Sequence, residues 1–413
     1  MAIESTDKKR ILILTSTFPR WEGDREPPFV FELSRRLARE FEVCVLAPHA
    51  PGAELHEIMD GIEVVRYRYF LPQAQTLAYN GGILANLAGK RWNYLLIPFF
   101  FLAQFFSLLH LLRKTRFDLI HAHWLIPQAM IALAARFFSG YRPTIVCTSH
   151  GGDLFGLSGS LMTRLKRHII GRVDKLAVVS QAMRDYARTI AARTDIEVIS
   201  MGVDLQHRFT PAAAARATQD ILFIGRLVEK KGIRYLIEAM RTVVRSYPQA
   251  RLHIVGDGPD LAALRQLAMD CGLASQVHFL GPVENAALPE RLRRATIFAA
   301  PSVVAEGGDQ EGLGLVFVEA LGCECAVVAS DLPAMRDVIV DGVTGLVCRQ
   351  RDSVDLAGKL TALLDNAALR TSLGQAGRQF VLGRFDWEVI ASRYAELLNR
   401  SLAERRPSVP VPD

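Results

Sequence analysis

The stretch ILILTS at residues 11–16 is followed by the pattern FVFELSRRLARE at 29–40 and then by VCVLAP at 43–48. A short apolar run, an amphipathic helix pattern and a second apolar run are typical of a strand–helix–strand unit in a parallel sheet. This alternation recurs along the chain and restarts after residue 218. The sequence therefore predicts an α/β fold with two Rossmann-like, doubly wound domains. The further strand-like runs are FDLIHAHW, TIVCTSH and KLAVVS in the first half and ILFIGR, RLHIVGDG, VHFLGPV, TIFAAPS and CAVVAS in the second.

The periodicity is interrupted near Met201–Ala217, where GVDLQHRFTP precedes an alanine-rich segment. We expect the first domain at residues 1–205 and the second at 206–384. A last helix at 385–404 would cross back to the first domain, and a tail at 405–413 would be disordered. Ligands of open parallel sheets bind beyond the carboxyl ends of the strands. Two such sheets facing each other would therefore place the active site in the cleft between them.

Composition describes a folded protein with an uneven charge. The chain has 413 residues, of which 50% are hydrophobic, so acidic disorder is excluded. Residues 1–205 hold 25 Lys and Arg against 19 Asp and Glu, whereas residues 206–413 hold 24 of each, so the net charge of +6 belongs to the first half. This excess favours an anionic partner such as a membrane surface or a phosphorylated acceptor, with ordinary solubility charge as the alternative. A nucleic-acid partner is not expected.

The six cysteines are scattered, and we interpret them as reduced thiols of a cytoplasmic protein. Cys323 and Cys325 are too close for a zinc knuckle and have no second pair. Their setting, ALGCECAVVAS, is typical of a buried passage from a helix to a strand. The polar opening MAIESTDKKR does not resemble a secretory signal.

The segment Tyr94–Leu112 is 19 uncharged residues long, which is enough to span a bilayer. The strand pattern that follows it argues against spanning, because a spanning helix would split the first domain across the membrane. A buried or half-buried helix and a helix docked in the membrane plane are the two compatible alternatives. Basic residues flank the segment and a polar stripe runs along it: Lys90, Arg91, Arg113 and Lys114 are the flanks, and Gln104, Ser107, His110 and Lys114 form the stripe.

The stretch GDQEGLGLVFVEALG at 308–322 separates Glu311 and Glu319 by seven residues, across a glycine-rich turn and the start of an apolar helix. Gly312 and Gly314 leave backbone N–H groups open near that start, where the helix dipole also favours an anion. Two carboxylates on either side of an anion suit a nucleotide sugar, whose hydroxyl groups flank a diphosphate. The alternative is a first-turn helix carboxylate at Glu311 and a surface residue at Glu319.

Two further motifs follow strands of the second half. In ILFIGRLVEKKG at 221–232, Arg226 and Lys231 follow a strand end, and two cations there suit a diphosphate. A solvated basic turn is the alternative. The sequence VGDGP at 255–259 lacks the third glycine of a dinucleotide fingerprint and predicts only a tight strand-to-helix turn lining the cleft.

Two motifs follow strands of the first half. In TSHGGDLFG at 148–156, His150 precedes two glycines and Asp153, so backbone can approach a ligand closely and the imidazole can hydrogen-bond a sugar or stabilise developing charge. His121 and His123 alternate on the preceding strand, but no fourth ligand is evident, so we do not expect a metal. In STFPRWEGDREPPFVFEL at 16–33, the first loop between strand and helix contains Gly23.

A combination of four of these motifs over two similar domains resembles the family 4 retaining glycosyltransferases, whose two-domain architecture is called GT-B. The four are His150-Gly151-Gly152, Gly225-Arg226 with Lys231-Gly232, VGDGP, and Glu311 and Glu319 with seven residues between them. The resemblance covers nearly the whole chain. Two departures concern the first-half loop, where the family often has paired glycines and this chain has only Gly23, and the interdomain stretch, where Met201 replaces an asparagine in MGVD.

The resemblance implies a role for each matching residue. The donor diphosphate would be neutralised by Arg226 and Lys231, and Glu311 would contact the donor sugar. His150 would reach the transferred sugar near the acceptor. The remaining implied positions are the ribose-binding carboxylate Glu319, the diphosphate-binding backbone of Gly312, Leu313, Gly314 and Leu315, and the acceptor-side loop positions Gly23, Gly151 and Asp153.

The function implied is transfer of a sugar from a nucleotide diphosphate sugar to an acceptor hydroxyl with retained anomeric configuration. No cofactor or metal is expected, because cations and helix-start amides would take the place of Mg²⁺. The basic first half and the apolar segment favour a lipid-linked acceptor, such as a precursor of a surface polysaccharide, at the cytoplasmic membrane face. The alternatives are a soluble acceptor, a sugar-nucleotide epimerase of similar architecture and a non-catalytic membrane-docked subunit.

Overall fold

The computed structural model describes residues 8–24, 26, 28–157, 159–212 and 216–404. The chain divides into two compact units. The first takes in the residues up to Val179, Met183–Ile199 and those from Ile390 on, and the second takes in Ser180–Ala182 and Ser200–Val389. The tail predicted at 405–413 lies outside the described residues.

The first unit contains an eight-stranded sheet in the order β3-β4-β2-β1-β5-β6-β7-β8. Neighbouring strands are parallel except for β3 and β4, which are antiparallel. The central strand β1 is buried from Ile11 to Leu14, as expected for a strand covered on both faces. The strands are β1 Arg10–Leu14, β2 Glu42–Pro48, β3 His56–Met59, β4 Ile62–Tyr67, β5 Leu119–His123, β6 Thr144–Ser149, β7 Lys175–Val178 and β8 Ile196–Val198.

Helices connect these strands, and α1 shows why the sequence forms them. Val30, Leu33, Ser34 and Leu37 are buried at helical spacing along one face, while charged residues occupy the other. The helix ends at Leu37, three residues before the end of the predicted pattern. The helices are α1 Phe29–Leu37, α2 Ile83–Gly89, α3 Leu96–Lys114, α4 Met130–Phe138, α5 Gly152–Phe155, α6 Ser160–Arg172 and α7 Gln181–Ile190.

The second unit contains a six-stranded parallel sheet in the order β11-β10-β9-β12-β13-β14. Its strands are β9 Asp220–Ile224, β10 Arg251–Val255, β11 Val277–Gly281, β12 Ile297–Ala300, β13 Ala326–Ser330 and β14 Leu346–Cys348. The remaining helices are α8 Ile233–Ser246, α9 Leu261–Asp270, α10 Leu288–Arg294, α11 Leu315–Gly322, α12 Ser353–Asp365, α13 Ala367–Phe385 and α14 Trp387–Ala403, of which the last lies in the first unit from Ile390 on.

The strand order reverses once in each sheet, and these reversals locate the ligand sites. In the first unit β1 lies between β2 and β5, and in the second β9 lies between β10 and β12. In the first sheet, the connection from β1 to β2 and that from β5 to β6 therefore run in opposite directions. The same holds for β9 to β10 and β12 to β13 in the second sheet. Each reversal leaves a crevice at the carboxyl ends of the strands. The predicted motifs follow β1, β6, β9, β10 and β12, and so lie at or beside these two points.

The predicted fold class is confirmed, since all ten strand-like runs form strands of two parallel sheets. The six cysteines are free, and Cys323 and Cys325 are buried between α11 and β13 as expected. The prediction missed the antiparallel hairpin of β3 and β4. Its turn is Asp60-Gly61, with φ of 47° and 78°, and an Asp-Gly pair at positive φ is a strong hairpin signal.

The apolar segment forms α3, preceded by a short 3₁₀ turn at Arg91–Leu95. By length and composition Arg91–Lys114 could cross a membrane, and 33% of the residues in its most apolar 18-residue stretch are buried. One face of α3 packs against α4 and β4, so the helix lies on the first unit as a half-buried element. The expected polar stripe is not uniformly exposed: Gln104 is buried, whereas His110 and Lys114 are exposed.

Candidate active site

The strand-order reversal of the second sheet brings Lys231 and Glu311 into direct contact. Lys231 ends a 3₁₀ turn after β9, and Glu311 lies in the segment between β12 and α11. The Lys231 Nζ donates a hydrogen bond to Glu311 Oε2, and the two side chains are only 15% and 13% exposed. Burial alone would raise the pKa of Glu311, but the charges of Lys231 and Lys230 hold that pKa below its ordinary value. Glu311 is therefore a carboxylate at neutral pH.

Further bonds fasten the segment after β12 to the turn after β9. The Lys230 Nζ lies 3.1 Å from an Asp309 carboxylate oxygen. The backbone N–H of Val303 donates to the Lys230 carbonyl at 2.8 Å, and that of Glu306 donates to the Glu229 carboxylate at 3.1 Å. Two segments far apart in sequence are thus bonded to each other around the Lys231–Glu311 pair.

The start of α11 offers backbone donors next to this pair. Gly314 precedes the helix at φ 79°, and a Cβ there would approach the Phe317 ring to 2.9 Å, so the position requires glycine. Because glycine has no side chain, it cannot cap the first-turn amides that follow it. An anion placed there would meet N–H groups and the positive end of the helix dipole.

Glu319 lies in the second turn of α11 and is half-buried. Burial raises the pKa of Glu319 to about 7, with the charge of Arg208 opposing the rise. At neutral pH this carboxyl group exists in both protonation states. It can therefore either donate to or accept from the hydroxyl groups of a ligand.

Arg226 follows Gly225 directly after β9, and its side chain is exposed. The VGDGP turn holds this loop by backbone contact. The amide of Gly225 donates to the Val255 carbonyl at 3.0 Å, and a Cβ on Gly256 would lie 1.9 Å from the Gly225 oxygen. The glycines of VGDGP therefore let the backbone of this turn pack directly against the backbone of Gly225. The sequence predicted the tight turn but not this packing role.

The predicted donor-side residues all lie in the second unit, on or before α11 and after β9: Arg226, Lys231, Glu311, Gly312, Leu313, Gly314, Leu315 and Glu319.

The Gly23 loop follows β1 at the strand-order reversal of the first sheet. Gly23 has φ 78°, and the side chain of Asp24 binds that of Arg20 at 2.6 Å. Burial would raise the pKa of Asp24, but its hydrogen bonds with Arg20 hold that pKa below the ordinary value. The Arg20 guanidinium also lies 4.5 Å from the Trp21 ring centroid. Charge pairing and ring contact thus fix the described part of this loop.

Asp153 is buried, and its carboxylate accepts hydrogen bonds from backbone and side-chain donors of neighbouring loops. The amide of Leu125 donates to it at 2.7 Å, the Ser149 hydroxyl at 2.9 Å and the amide of His150 at 3.3 Å. Burial raises the pKa of Asp153, and these hydrogen bonds oppose the rise. With its oxygens bound in this way, Asp153 positions the loops after β5 and β6 and, with them, Gly151 and His150.

His150 lies against a hydrogen-bonded partner and between aromatic rings. Its Nε2 is 3.0 Å from His123 Nδ1. Its ring centroid is 5.1 Å from that of Phe29 and 4.9 Å from that of Trp124. Burial lowers the pKa of His150 to about 3, so the imidazole is neutral at physiological pH. A neutral imidazole hydrogen-bonds a ligand but brings no charge to it.

Hydrogen-bond partners assign the tautomer of His150. The second ring nitrogen of His123, Nε2, is buried and has no partner among the described residues. A buried N–H without an acceptor is rarer than an unpaired acceptor, so the proton of His123 belongs on Nδ1 and is donated to His150 Nε2. His150 then carries its own proton on Nδ1 and can donate that N–H to a ligand oxygen.

His121 has a separate set of contacts on the same strand. Its Nε2 is hydrogen-bonded to the Thr148 hydroxyl at 2.9 Å, and its ring centroid lies 5.5 Å from that of Tyr394 in α14. Tyr394 in turn donates to the carbonyl of Ile199 at 3.0 Å. The sequence showed that His121 and His123 alternate on a strand, which suggested a metal site. It did not predict the hydrogen bonds that these two histidines make. Among the described residues, no group of three or more His, Cys, Asp or Glu could hold a metal ion.

Known families match both halves of the chain. Residues 28–207 match the family described as Glycosyltransferase Family 4, and residues 211–380 match Glycosyl transferases group 1. A GDP-mannose-dependent alpha-(1-6)-phosphatidylinositol monomannoside mannosyltransferase of Mycobacterium tuberculosis is 32% identical over 295 residues, which are 68% of this chain and 75% of that protein. The chain belongs to glycosyltransferase family 4.

Two further relatives of this glycosyltransferase differ in their named acceptors. A phosphatidyl-myo-inositol mannosyltransferase of Mycobacterium leprae is 32% identical over 371 residues, covering 86% of this chain and 87% of the relative. A glycogen synthase of Mycobacterium tuberculosis is 29% identical over 310 residues, covering 73% of each. This glycosyltransferase transfers a sugar from a sugar nucleotide, as its family and these relatives do, and transfer decides against the epimerase alternative.

Solved structures share the fold of this glycosyltransferase. A sucrose-phosphate synthase from Thermosynechococcus elongatus superposes with a TM-score of 0.77 at 22% identity, covering 96% of this chain and 100% of that one. Anabaena HepE in complex with UDP and glucose superposes with a TM-score of 0.72 at 18% identity, covering 95% and 100%. The GT-B architecture expected from the sequence is therefore confirmed.

Proposed function

We propose that this glycosyltransferase moves a mannosyl group from GDP-mannose to a hydroxyl group of a lipid-linked, phosphatidylinositol-type acceptor, with retained configuration and without a metal. The observation that carries the proposal is the contact between Lys231 and Glu311 beside the uncapped start of α11. A diphosphate fits this arrangement, because a cation and a row of N–H groups meet at one place. The donor and acceptor classes are those named for the mannosyltransferase relatives.

Departure of the diphosphate sets the main electrostatic demand. As the bond from the sugar C1 to the phosphate oxygen breaks, negative charge grows on the leaving group. Lys231, Arg226 and the amides of Gly312–Leu315 would stabilise that charge without reorganising, which is the work a Mg²⁺ ion would otherwise do. The acceptor oxygen bonds to C1 on the same face, and its proton passes to a leaving phosphate oxygen. No protein nucleophile is needed.

The carboxylates and the histidine would orient the sugar nucleotide. Glu311, held by Lys231, would accept hydrogen bonds from hydroxyl groups of the transferred sugar, and Glu319 would bind those of the ribose. His150 would donate its Nδ1–H to a sugar oxygen. Because burial keeps His150 neutral, it adds direction rather than charge.

A lipid-linked acceptor places the enzyme at a membrane, and we propose peripheral binding at the cytoplasmic face. The excess positive charge in residues 1–205 supports this, since anionic lipids attract basic surfaces. A soluble glycan acceptor is the alternative, favoured by the similarity to a glycogen synthase. Assays with a phosphatidylinositol mannoside and with a soluble oligosaccharide distinguish the two acceptors.

The first test is thermal stabilisation by GDP, UDP and ADP, each with EDTA present. A ligand at a hundred times its dissociation constant adds about 2.7 kcal/mol to the free energy of unfolding. We expect GDP alone to stabilise the protein at that level. Stabilisation by another nucleotide would reassign the donor base, and stabilisation only after Mg²⁺ is added would contradict metal independence.

The second test is the configuration of the product. GDP-mannose and the lipid acceptor are incubated with EDTA, and the anomeric proton of the new linkage is examined by NMR. An α-linkage from the α-configured donor is expected. A β-linked product would rule out retention, and the absence of transfer to any acceptor while GDP still binds would rule out the proposed reaction.

A further inference from the structure

An exposed apolar surface covers one side of the first unit. We call it the aromatic face and define it as Leu95, Phe99, Leu102, Phe106, Phe137 and Phe138. Leu102, Phe106 and Phe137 are 54%, 60% and 82% exposed. Ring contacts through Phe105 join α3 to the end of α4, since its centroid is 5.3 Å from that of Phe106 and 5.9 Å from that of Phe138. The residues thus form one patch on two helices.

The distribution of polarity across α3 is the reverse of that in an ordinary surface helix. The side that packs on the unit includes Gln104, which is buried and whose amide oxygen and nitrogen have no hydrogen-bond partner among the described residues. The outward side carries Phe99, Leu102 and Phe106. Surface helices in water direct polar side chains outward, so this helix is built for an apolar medium on its outer side.

The charged residues at the ends of α3 indicate which apolar medium contacts its outer side. The segment 90–117 contains five basic residues and no acidic one. They lie at the two ends of a helix of 19 residues, about 28 Å long, and all five are exposed: Lys90, Arg91, Arg113, Lys114 and Arg116. Trp92 and Tyr94, whose rings suit the boundary between water and lipid, are 41% and 55% exposed at the first end.

We propose that the aromatic face inserts into the headgroup boundary of an anionic bilayer, with α3 lying in the membrane plane and its basic ends against lipid phosphates. A second copy of the chain fits this face less well, because a symmetric contact would bring two sets of basic ends together with no acid in the segment to pair them. Spanning is excluded because the inner side of α3 packs on α4 and β4. The proposal deepens the membrane part of the proposed function and rests on it only for the acceptor.

Vesicle flotation of the full-length protein tests the proposal. Neutral phosphatidylcholine vesicles are compared with vesicles that contain phosphatidylglycerol. We expect wild type to float with the anionic vesicles, and the triple variant Leu102→Ser, Phe106→Ser, Phe137→Ser to lose at least about tenfold in vesicle affinity. The matched control replaces equally exposed apolar residues of the second unit, by Met269→Ser, Val343→Ser and Val354→Ser, and should float as wild type.

Insertion is measured directly by quenching with brominated lipids. Trp92 is beside the aromatic face, so bromine in the upper acyl chain should quench part of the tryptophan fluorescence, and Trp92→Phe should remove that part. Lys90→Gln with Lys114→Gln should weaken the preference for anionic vesicles without removing the quenching. Quenching that persists unchanged in the triple variant would contradict insertion through this face.

Three outcomes overturn the proposal. The first is that wild type binds neither kind of vesicle, and the second is that the triple variant binds vesicles as tightly as wild type. The third is that wild type sediments as a dimer and the triple variant as a monomer, which would assign the aromatic face to contact with a second copy. The nucleotide assay separates this result from the proposed function. Stabilisation by GDP without vesicle binding rejects the docking face alone, and vesicle binding without stabilisation by any nucleotide rejects the proposed transfer alone.

Discussion

The loops after β6 and β9 each lie at or beside a strand-order reversal of this glycosyltransferase, and they carry opposite chemistry. In the second unit, two lysines and their carboxylate partners gather after β9 and β12, and the lysine charges hold the pKa of Glu311 below its ordinary value. In the first unit, His123 and His150 are neutral and lie among aromatic rings. Similar backbone arrangements thus present ion pairs in the second unit and neutral imidazoles in the first. The fold places the site, and side chains decide its chemistry.

Removal of the Lys231 charge should have the largest effect. Lys231→Ala takes away a cation at the position proposed for the leaving diphosphate, and we expect kcat/KM to fall at least about 100-fold. It also leaves Glu311 half-buried without its partner, so the free energy of unfolding at neutral pH should fall as well. Steady-state kinetics with GDP-mannose and chemical unfolding measure the two effects.

Two further variants separate catalysis from folding. Lys230→Ala is the matched control, because its ion pair with Asp309 is more exposed, and we expect a loss of less than about fivefold. Adding Glu311→Gln to Lys231→Ala should restore stability and leave activity low. Near-wild-type turnover in Lys231→Ala would contradict the proposed charge neutralisation.

Glu319 should show its effect in stability against pH. The folded protein keeps the Glu319 proton up to a pKa of about 7, whereas the unfolded chain loses it near 4.5. The folded state binds more protons between these values, so the free energy of unfolding falls as pH rises through that window. The two pKa values differ by about 2.5 units, and at about 1.4 kcal/mol per unit this difference limits the loss of unfolding free energy to about 3.5 kcal/mol.

The test of that effect is Glu319→Gln. We expect the variant to be more stable than wild type at pH 8 and nearly equal to it at pH 4, because glutamine is neutral at both. Urea unfolding at the two pH values measures the difference. A wild-type advantage at pH 8 would mean that Glu319 is stabilised as the anion, in conflict with its raised pKa.

A smaller effect is expected from His123, which positions His150 in the first unit. His123→Leu removes the donor to His150 Nε2 and should lower kcat about tenfold while leaving stabilisation by GDP unchanged. His123→Asn keeps an amide donor near the Nδ1 position and should recover part of the loss. The ¹⁵N shifts of labelled histidine report the tautomer of His150 directly, and an unchanged tautomer in His123→Leu would contradict the assignment.

The smallest expected effect concerns His150, whose protonation should not appear in the pH dependence of kcat/KM. Burial holds the pKa of His150 near 3, so His150 should contribute no acidic limb to kcat/KM between pH 5 and 8. A pH profile of wild type and of His150→Asn checks this. An acidic limb near pH 6.5 that vanishes in the variant would show that His150 works as a charged group and would remove the contrast between the two units.

Sequence periodicity was enough to predict the two sheets. Buried parallel strands are continuous apolar runs, and the ten predicted runs all form strands. The motif at 308–322 also placed a helix start after Gly314, where the structure has α11. Motifs that follow strands cluster by topology alone, so the grouping of Arg226, Lys231 and Glu311 in one unit followed from strand order.

Other features depend on contacts that spacing does not encode. Lys231 and Glu311 are 80 positions apart, and their pairing depends on the path of the loop after β12. The bond between His123 and His150 joins neighbouring strands at a distance that only the sheet register sets. In α3, periodicity predicted which residues share a stripe but not which stripe packs inward, because the helix is apolar on nearly every side.

The return of the chain at Ile390 makes the second unit, apart from Ser180–Ala182, an uninterrupted insertion within the first. Tyr394, on the returning helix, donates to the carbonyl of Ile199, and its ring lies 5.5 Å from that of His121. Cutting the protein at residue 200 would therefore remove part of the first unit's own core. Exchange of the segment between residues 200 and 389 with that of a relative would respect the connectivity, so on the proposed donor site it should change the nucleotide that the enzyme binds.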